Sequence, residues 1–150
     1  MSGRQERTLV GWREWATLPD LGTPPMKAKI DTGARTSALH VSDLRAREEG
    51  GRTILSFVIL PVQRSDEGPI HAQAPLLEYR EVRPSSGRAV RRPVISTTLA
   101  MGEWRGTIEL TLADRDQMGF RMLLGRTALR SHFLVDPAAS FLTTPRNPAP

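Results

Sequence analysis

The stretch Lys27-Ala28-Lys29-Ile30-Asp31-Thr32-Gly33-Ala34-Arg35-Thr36 places a carboxylate where a predicted strand ends. Apolar residues alternate with Lys27 and Lys29, and this period of two predicts a strand with one buried face. The loop that follows contains a hydroxyl and a glycine, so its backbone amides and the Thr32 hydroxyl can hold the Asp31 carboxylate in place. Taken alone, Asp-Thr-Gly favours an ordinary turn, because Asp and Gly dominate turns.

A second motif further along the chain changes this balance. Met122-Leu123-Leu124-Gly125-Arg126 predicts another apolar strand that ends in glycine, followed by a helix-like segment. Together with Asp-Thr-Gly-Ala, this motif resembles the retropepsin-like aspartic peptidases. The resemblance implies an all-β, retropepsin-like acid-protease barrel with one short helix after Leu-Leu-Gly-Arg. It also implies that Leu124, Gly125 and Arg126 support the catalytic loop from beneath.

Three segments are similar, more narrowly, to one bacterial and archaeal branch of that fold. Its members are named ATP-dependent zinc proteases and are associated with RimK-type glutamate ligases. The matching segments are residues 10–14, 27–40 and 118–126. We therefore expect a flexible N-terminus at residues 1–8, a retropepsin-like peptidase domain at 9–142 and a disordered, proline-rich tail at 143–150.

The composition predicts a single cytoplasmic domain of 150 residues. No apolar run approaches the roughly 18 residues that span a bilayer, and the N-terminus leads into no apolar signal core. The chain has no cysteine, which is compatible with a reducing compartment. Its formal charge of +5 would attract an acidic partner.

Short strands and turns follow one another along the rest of the chain. Residues 53–60 and 70–77 predict one hairpin, residues 78–83 and 88–99 a second, and residues 107–112 a strand whose inward side chains are Ile108, Leu110 and Leu112. Residues 43–51 are charged and end in two glycines, so they predict a loop or a short exposed helix. Residues 140–142 predict a last short strand.

Aspartic peptidases use two carboxylates that share one proton, one as a general base and the other as a hydrogen-bond donor to the scissile carbonyl. This chain has one Asp-Thr-Gly, so the mechanism requires a symmetric homodimer. By the resemblance, Asp31 is the catalytic acid, Thr32 locks the two loops together across the dimer, and Gly33 allows their close approach.

The second predicted hairpin is rich in arginine. The segment between Tyr79 and Ile95 contains five arginines and one acidic residue, Glu81, which gives it a net charge of 5 − 1 = +4. The resemblance implies that this hairpin is a flap over the substrate, and an arginine-bearing flap favours acidic peptides. A solvated edge that discourages aggregation explains the same arginines equally well. The predicted substrate-binding residues are Ala34, Arg35, Arg83, Ser85, Ser86, Gly87 and Arg88.

One position departs from the best-known retropepsins. In those proteins an acid follows Asp-Thr-Gly-Ala and pairs with the arginine of the Gly-Arg motif, whereas this chain has Arg35. We therefore expect Arg126 to pair with another acid, Asp136, and Arg35 to lie near the substrate groove.

The zinc and the ATP of the family name find little support in the residues. His40, His71 and His132 are scattered, and the chain has no cysteine and no His-Glu-x-x-His, so we predict no metal site. No phosphate-binding glycine loop is present, so ATP dependence would have to come from a partner ligase and we expect no cofactor.

Two functions remain open. The leading hypothesis is a homodimeric aspartic endopeptidase that acts on glutamate-rich or polyglutamylated protein tails and is linked to a RimK-type ligase. The alternative is a non-catalytic module that binds acidic peptides. With one Tyr and four Phe, the chain has few aromatic side chains for stacking on RNA bases, which argues against nucleic acid as the partner.

Overall fold

The computed structural model describes residues 6–63, 65–83, 87–114 and 119–144. Within these ranges the chain forms short strands, a 3₁₀ turn at Pro19–Leu21 and an α-helix, α1, at Arg126–Leu129. The predictions of an all-β fold and of one short helix after the Leu-Leu-Gly-Arg motif are confirmed. No helix of the described residues is long and apolar enough to cross a membrane.

The strands of the described residues form three sheets. One sheet has seven strands in the order β2-β3-β11-β4-β10-β9-β8, a second has the order β5-β6-β7, and β1 pairs with β12 in a third. The strands are β1 Thr8–Val10, β2 Arg13–Ala16, β3 Met26–Ile30, β4 Ser37–His40, β5 Ser42–Glu49, β6 Arg52–Ile59, β7 Ile70–Pro75, β8 Glu78–Val82, β9 Val90–Met101, β10 Trp104–Ala113, β11 Met122–Leu124 and β12 Phe133–Val135.

Strand β11 lies between β3 and β4, parallel to β3 and antiparallel to β4. In this register Leu124 is opposite Ile30. Asp31 follows Ile30 and Gly125 follows Leu124, so the loops that leave these two strands begin at the same edge of the sheet. The two sequence motifs therefore meet in space.

Alternate side chains of the central strands fill the core, as the period of two predicts. Ile108, Leu110 and Leu112 are 6%, 0% and 1% exposed, which confirms their predicted inward direction. Full burial of one such side chain stabilises a fold by about 1.5–3 kcal/mol. The same alternation in β3 buries Ala28 and Ile30 and leaves the lysines of that strand partly exposed.

A buried carboxylate fastens residues 142–143 to the start of the domain. Glu14 in β2 is 0% exposed. One of its oxygens accepts hydrogen bonds from the backbone N–H groups of Gly11 at 2.7 Å and Leu142 at 2.9 Å. The other oxygen accepts hydrogen bonds from the backbone N–H of Thr143 at 3.1 Å and from its hydroxyl at 2.8 Å. Four donors thus replace the water that the charged group loses on burial.

Residues 43–51 do not form the loop or short exposed helix that their charge predicts. Most of them form β5, which pairs antiparallel with β6. Gly50 and Gly51, with φ angles of 59° and 80°, make the tight turn between the two strands. The charge pattern was misleading because β5 is an edge strand whose charged side chains face solvent.

Residues 140–142 do not form the predicted last strand. Phe141 has a φ angle of 56°, which is incompatible with extended backbone, and its ring stacks on Trp15 at a centroid distance of 5.4 Å. The contacts to Glu14 shape this segment instead of a sheet partner. Thr143, which the sequence placed in a disordered tail, is among these contacts. Residues 145–150 of that tail and residues 1–5 lie outside the described part of the chain.

We predict that Glu14→Gln destabilises the domain. The amide replaces one acceptor oxygen with a donor that faces backbone N–H groups, and leaving buried donors unsatisfied costs about 1–3 kcal/mol. For a domain of this size, we expect a fall in Tm of roughly 3–10 °C, measured by thermal denaturation. The matched control is Glu49→Gln, because the Glu49 side chain is 63% exposed and its pair with Arg47 lies at the surface. Equal Tm values for Glu14→Gln and the parent protein would contradict the assigned role.

Candidate active site

Asp31 lies at the first position after β3, in a turn that fixes both its backbone and its carboxylate. Its backbone N–H donates to the Leu124 carbonyl at 2.9 Å, and its own carbonyl accepts from the Ala34 N–H at 3.2 Å. Its Oδ1 accepts a hydrogen bond from the Gly33 N–H at 3.0 Å. The predicted bond from the Thr32 hydroxyl to the Asp31 carboxylate is not formed within the described structure, and Thr32 is exposed. A backbone amide therefore orients the carboxylate.

The residues after Asp31 are clasped by the start of α1. The N–H of Arg126 donates to the Ala34 carbonyl at 2.8 Å, and the N–H of Thr127 donates to the Arg35 carbonyl at 3.0 Å. The Arg126 side chain reaches further and donates from Nη1 to the Thr32 carbonyl at 3.1 Å. Three carbonyls of the loop are thus held by one helical turn, which limits the positions that the loop can take.

Gly125 makes this close approach possible. A Cβ atom at this position would lie 2.6 Å from the Thr36 carbonyl oxygen and 2.9 Å from that of Ala34, too close for any side chain. The Gly125 N–H donates to the Ser37 hydroxyl at 3.0 Å, and Leu124 beside it is fully buried. The structure therefore brings Leu124, Gly125 and Arg126 directly against the Asp31 loop.

The predicted ion pair between Arg126 and Asp136 is wrong. Asp136 follows β12 in a turn of its own, where its Oδ1 accepts a hydrogen bond from the Ala138 N–H at 2.9 Å. Arg126 uses the Thr32 carbonyl as its acceptor instead of a carboxylate. The sequence could not reveal this partner, because every residue offers a carbonyl.

Arg35 lies in the same loop with an exposed side chain. Its contact with α1 is made by the backbone carbonyl alone. Among the described residues its guanidinium has no acidic partner. Ala34 beside it is partly buried. The loop that contains Asp31 thus also presents an exposed cation.

The predicted arginine-rich hairpin is confirmed as β8 and β9, with Val82 opposite Val90. Arg83, Gly87 and Arg88 are exposed, whereas Ser85 and Ser86 lie outside the described residues. Strands β11, β4, β10 and β9 separate β8 from β3 in the sheet. In the described part of one chain, no hydrogen bond or ion pair joins the hairpin to the Asp31 loop.

The hairpin's arginines differ in their partners. Arg80 donates to Glu78 and to Glu109, with closest ion-pair distances of 2.7 and 2.9 Å. Its hydrogen bond to Glu78, aided by Glu109, raises the pKa of the Arg80 guanidinium above its ordinary value against the opposing effect of burial. Arg91 stacks on the Tyr79 ring at 4.5 Å. Arg83 and Arg88 have no acidic partner within the described ranges and are the arginines of the hairpin best placed to meet an anion.

The described residues contain no group of three or more His, Cys, Asp and Glu side chains that could hold a metal ion. His40 lies in β4, His71 in β7 and His132 just after α1, so the fold keeps the three imidazoles on separate elements.

Known proteins are similar to this chain in fold and in sequence. A crystal structure of Lpg0085 from Legionella pneumophila, described as a protein with unknown function, superposes with a TM-score of 0.78 at 27% identity, covering 93% of this chain and 100% of that one. Proteins named probable alpha-L-glutamate ligase are 37% identical over 139 residues in Shewanella halifaxensis and 43% identical over 134 residues in Parasynechococcus marenigrum.

The chain covers 93% and 89% of its own length in these two matches but spans only about 30% of the length of the ligases. One family model matches residues 9–146, and its description is RimB-like: Retropepsin-like aspartic endopeptidase RimB. The match includes the Asp31 loop and the Leu124-Gly125-Arg126 segment that holds it. The chain therefore belongs to the RimB-like family of retropepsin-like aspartic endopeptidases.

Proposed function

We propose that this protein is an aspartic endopeptidase whose active site forms between two copies of the chain, each contributing Asp31. The observation that carries the proposal is the seat of Asp31, a carboxylate at a strand end held by the Gly33 amide in a loop clasped by the Gly-Arg motif. The sequence contains Asp-Thr-Gly once, so the second carboxylate has to come from a partner copy.

The geometry of Asp31 suits an acid-base role. Its Oδ1 is occupied by the Gly33 N–H, whereas its Oδ2 accepts no hydrogen bond from the described residues. Oδ2 is thus available to bind the attacking water or to share a proton with the partner's carboxyl group. One carboxylate then removes a proton from water as the other, protonated, donates a hydrogen bond to the scissile carbonyl.

The neighbours of Asp31 suit a symmetric contact between loops. Thr32 is exposed, so its hydroxyl is available to donate across the two-fold axis, while Arg126 holds its carbonyl in place. At Gly33 a Cβ atom would lie 3.2 Å from the Asp31 Oδ1 and would crowd the carboxylate. Glycine therefore preserves both the hydrogen bond to Asp31 and room for the partner loop.

The substrate we propose is a glutamate-rich or polyglutamylated protein tail. Arg35 in the Asp31 loop and Arg83 and Arg88 in the hairpin lack acidic partners among the described residues, and the chain carries a net charge of +5. The hairpin, with Gly87 at a φ angle of 94°, would close over the bound peptide as a flap, and Ala34 would line the groove beneath it.

The similarity to proteins named glutamate ligases supports the same substrate. In these relatives a sequence like this chain is part of a longer protein named for joining glutamate. A peptidase that removes what such a ligase adds is a coherent partner for it, and we propose a functional link with a RimK-type ligase.

Replacing Asp31 by Asn tests the proposed role of its carboxylate. Asp31→Asn keeps the oxygen that accepts from Gly33 but cannot act as a base, so we expect cleavage of a protein ending in eight glutamates to fall by about a thousandfold. Mass spectrometry of the released peptides measures the rate. The matched control is Asp20→Asn at an exposed site in the 3₁₀ turn. Full activity of Asp31→Asn would disprove the aspartic mechanism, and binding without cleavage by the parent protein would favour the non-catalytic module.

Mixed dimers test whether the active site needs a carboxylate from each chain. When equal amounts of parent and Asp31→Asn chains exchange subunits at random, only about one quarter of the dimers carry two carboxylates. We therefore expect the activity per total chain to fall to about a quarter of the parent value rather than to a half. Mixing the parent with Asp20→Asn should cause no loss. A fall to one half in the Asp31→Asn mixture would show that each chain works alone.

A further inference from the structure

The outward face of β2 and β3 carries cations that the proposed active site does not use. In the antiparallel register of these strands, Arg13 is directly opposite Lys29 and Trp15 is opposite Lys27. The intervening residues of both strands are buried in the core, and these four are partly exposed. We call Arg13, Lys27 and Lys29 the basic face.

Aromatic rings hold two of these cations in fixed positions. The Arg13 guanidinium contacts two rings, 4.7 Å from the centroid of Trp12 and 5.0 Å from that of Phe141. Phe141 in turn stacks on Trp15, and Lys27 Nζ lies 5.6 Å from the Trp15 centroid. Arg13 also donates from Nε to the Ser140 hydroxyl at 3.2 Å. Cations ordered in this way lose little side-chain entropy when they bind a ligand.

The basic face has no acidic partner in the described part of the chain. The described ion pairs join Arg47 to Glu49, and Arg80 to Glu78 and Glu109, all on other strands. Glu14, between Arg13 and Trp15 in sequence, is buried and bonded to Gly11, Leu142 and Thr143. Like charges directly opposite one another destabilise a strand pair, so an anion beside Arg13 and Lys29 would relieve this repulsion.

We infer that the basic face, which lies on the strand leading into the Asp31 loop, binds an extended, glutamate-rich peptide segment. Side chains on one face of an extended peptide repeat about every 6.6–6.8 Å, which is also the spacing of Lys27 and Lys29 along β3. Alternate carboxylates of the peptide can therefore meet the two lysines. Arg13 and Lys29 are directly opposite each other, with Cβ atoms about 5 Å apart, so one carboxylate can contact both side chains. The inference rests on the proposed function only for the choice of glutamate as the acidic residue.

Other occupants fit this surface less well. A second copy of the chain would bring the same cations together across a two-fold axis, where they would repel. A single-stranded nucleic acid needs free ring faces on which bases stack. Here the ring faces of Trp12, Trp15 and Phe141 contact Arg13, Lys27 or each other. An acidic peptide needs only the exposed parts of the Arg13, Lys27 and Lys29 side chains.

Binding of a fluorescent decaglutamate peptide to the Asp31→Asn protein tests the inference without cleavage. Replacing both Lys27 and Lys29 by Gln should weaken binding about tenfold at low salt, because each exposed charge contact contributes up to about a fivefold change in Kd. The matched control replaces the exposed Arg45 and Arg52 of the β5-β6 hairpin by Gln, with the same change in net charge, and should alter Kd less than twofold. A neutral decaglutamine peptide should not bind.

Equal Kd values for the lysine double variant and the Asp31→Asn protein would overturn the inference, as would an equal loss in the arginine control. Displacement of the peptide by a decathymidine strand at lower concentration than by unlabelled decaglutamate would overturn it in favour of nucleic acid. If the parent protein cleaves no glutamate tail but the lysine variants still weaken binding, the basic face stands and the proposed peptidase function fails.

Discussion

The hydrogen bonds between the Asp31 loop and the start of α1 are the interaction on which the rest of the structure depends. They join segments far apart in sequence, and they form because β11 inserts between β3 and β4 so that both loops leave the sheet at one edge. Gly125 permits the contact because any Cβ atom there would collide with the loop's carbonyls. The Gly33 amide and the buried sheet order the Asp31 carboxylate without a ligand, and for the proposed peptidase this order would lower the entropic cost of catalysis.

Much of this could be predicted from the sequence, because local patterns carry it. The period of two in β3 and β10, the glycine after β11 and the similarity of both motifs to a known family located the strands and the candidate acid. The predictions that failed involve contacts between residues far apart in sequence and a strand at the edge of a sheet. Glu14 resembles a surface residue of an alternating strand until residues 142–143 supply its donors, and β5 resembles a charged loop because an edge strand needs no apolar outer face. Backbone acceptors, such as the Thr32 carbonyl for Arg126, carry no sequence signal.

The cations of the hairpin and those of β2 and β3 have different surroundings. Arg80 pairs with Glu78 on its own strand and with Glu109 on β10. Arg83 and Arg88 are exposed near the hairpin tip, whereas the cations of β2 and β3 are ordered by aromatic rings. For the proposed peptidase, the ordered cations of β2 and β3 would hold an acidic chain while the exposed hairpin closes over it.

The proposed chemistry depends on two Asp31 carboxylates that meet across a two-fold axis, and a crystal structure of the protein measures this directly. We expect the Asp31 carboxylates of two symmetry-related chains to face each other within hydrogen-bonding reach of one shared water, with oxygen-to-water distances of about 2.5–3.0 Å. A protein that is monomeric in solution and in the crystal, with the Asp31 carboxylate alone in solvent, would contradict this central claim.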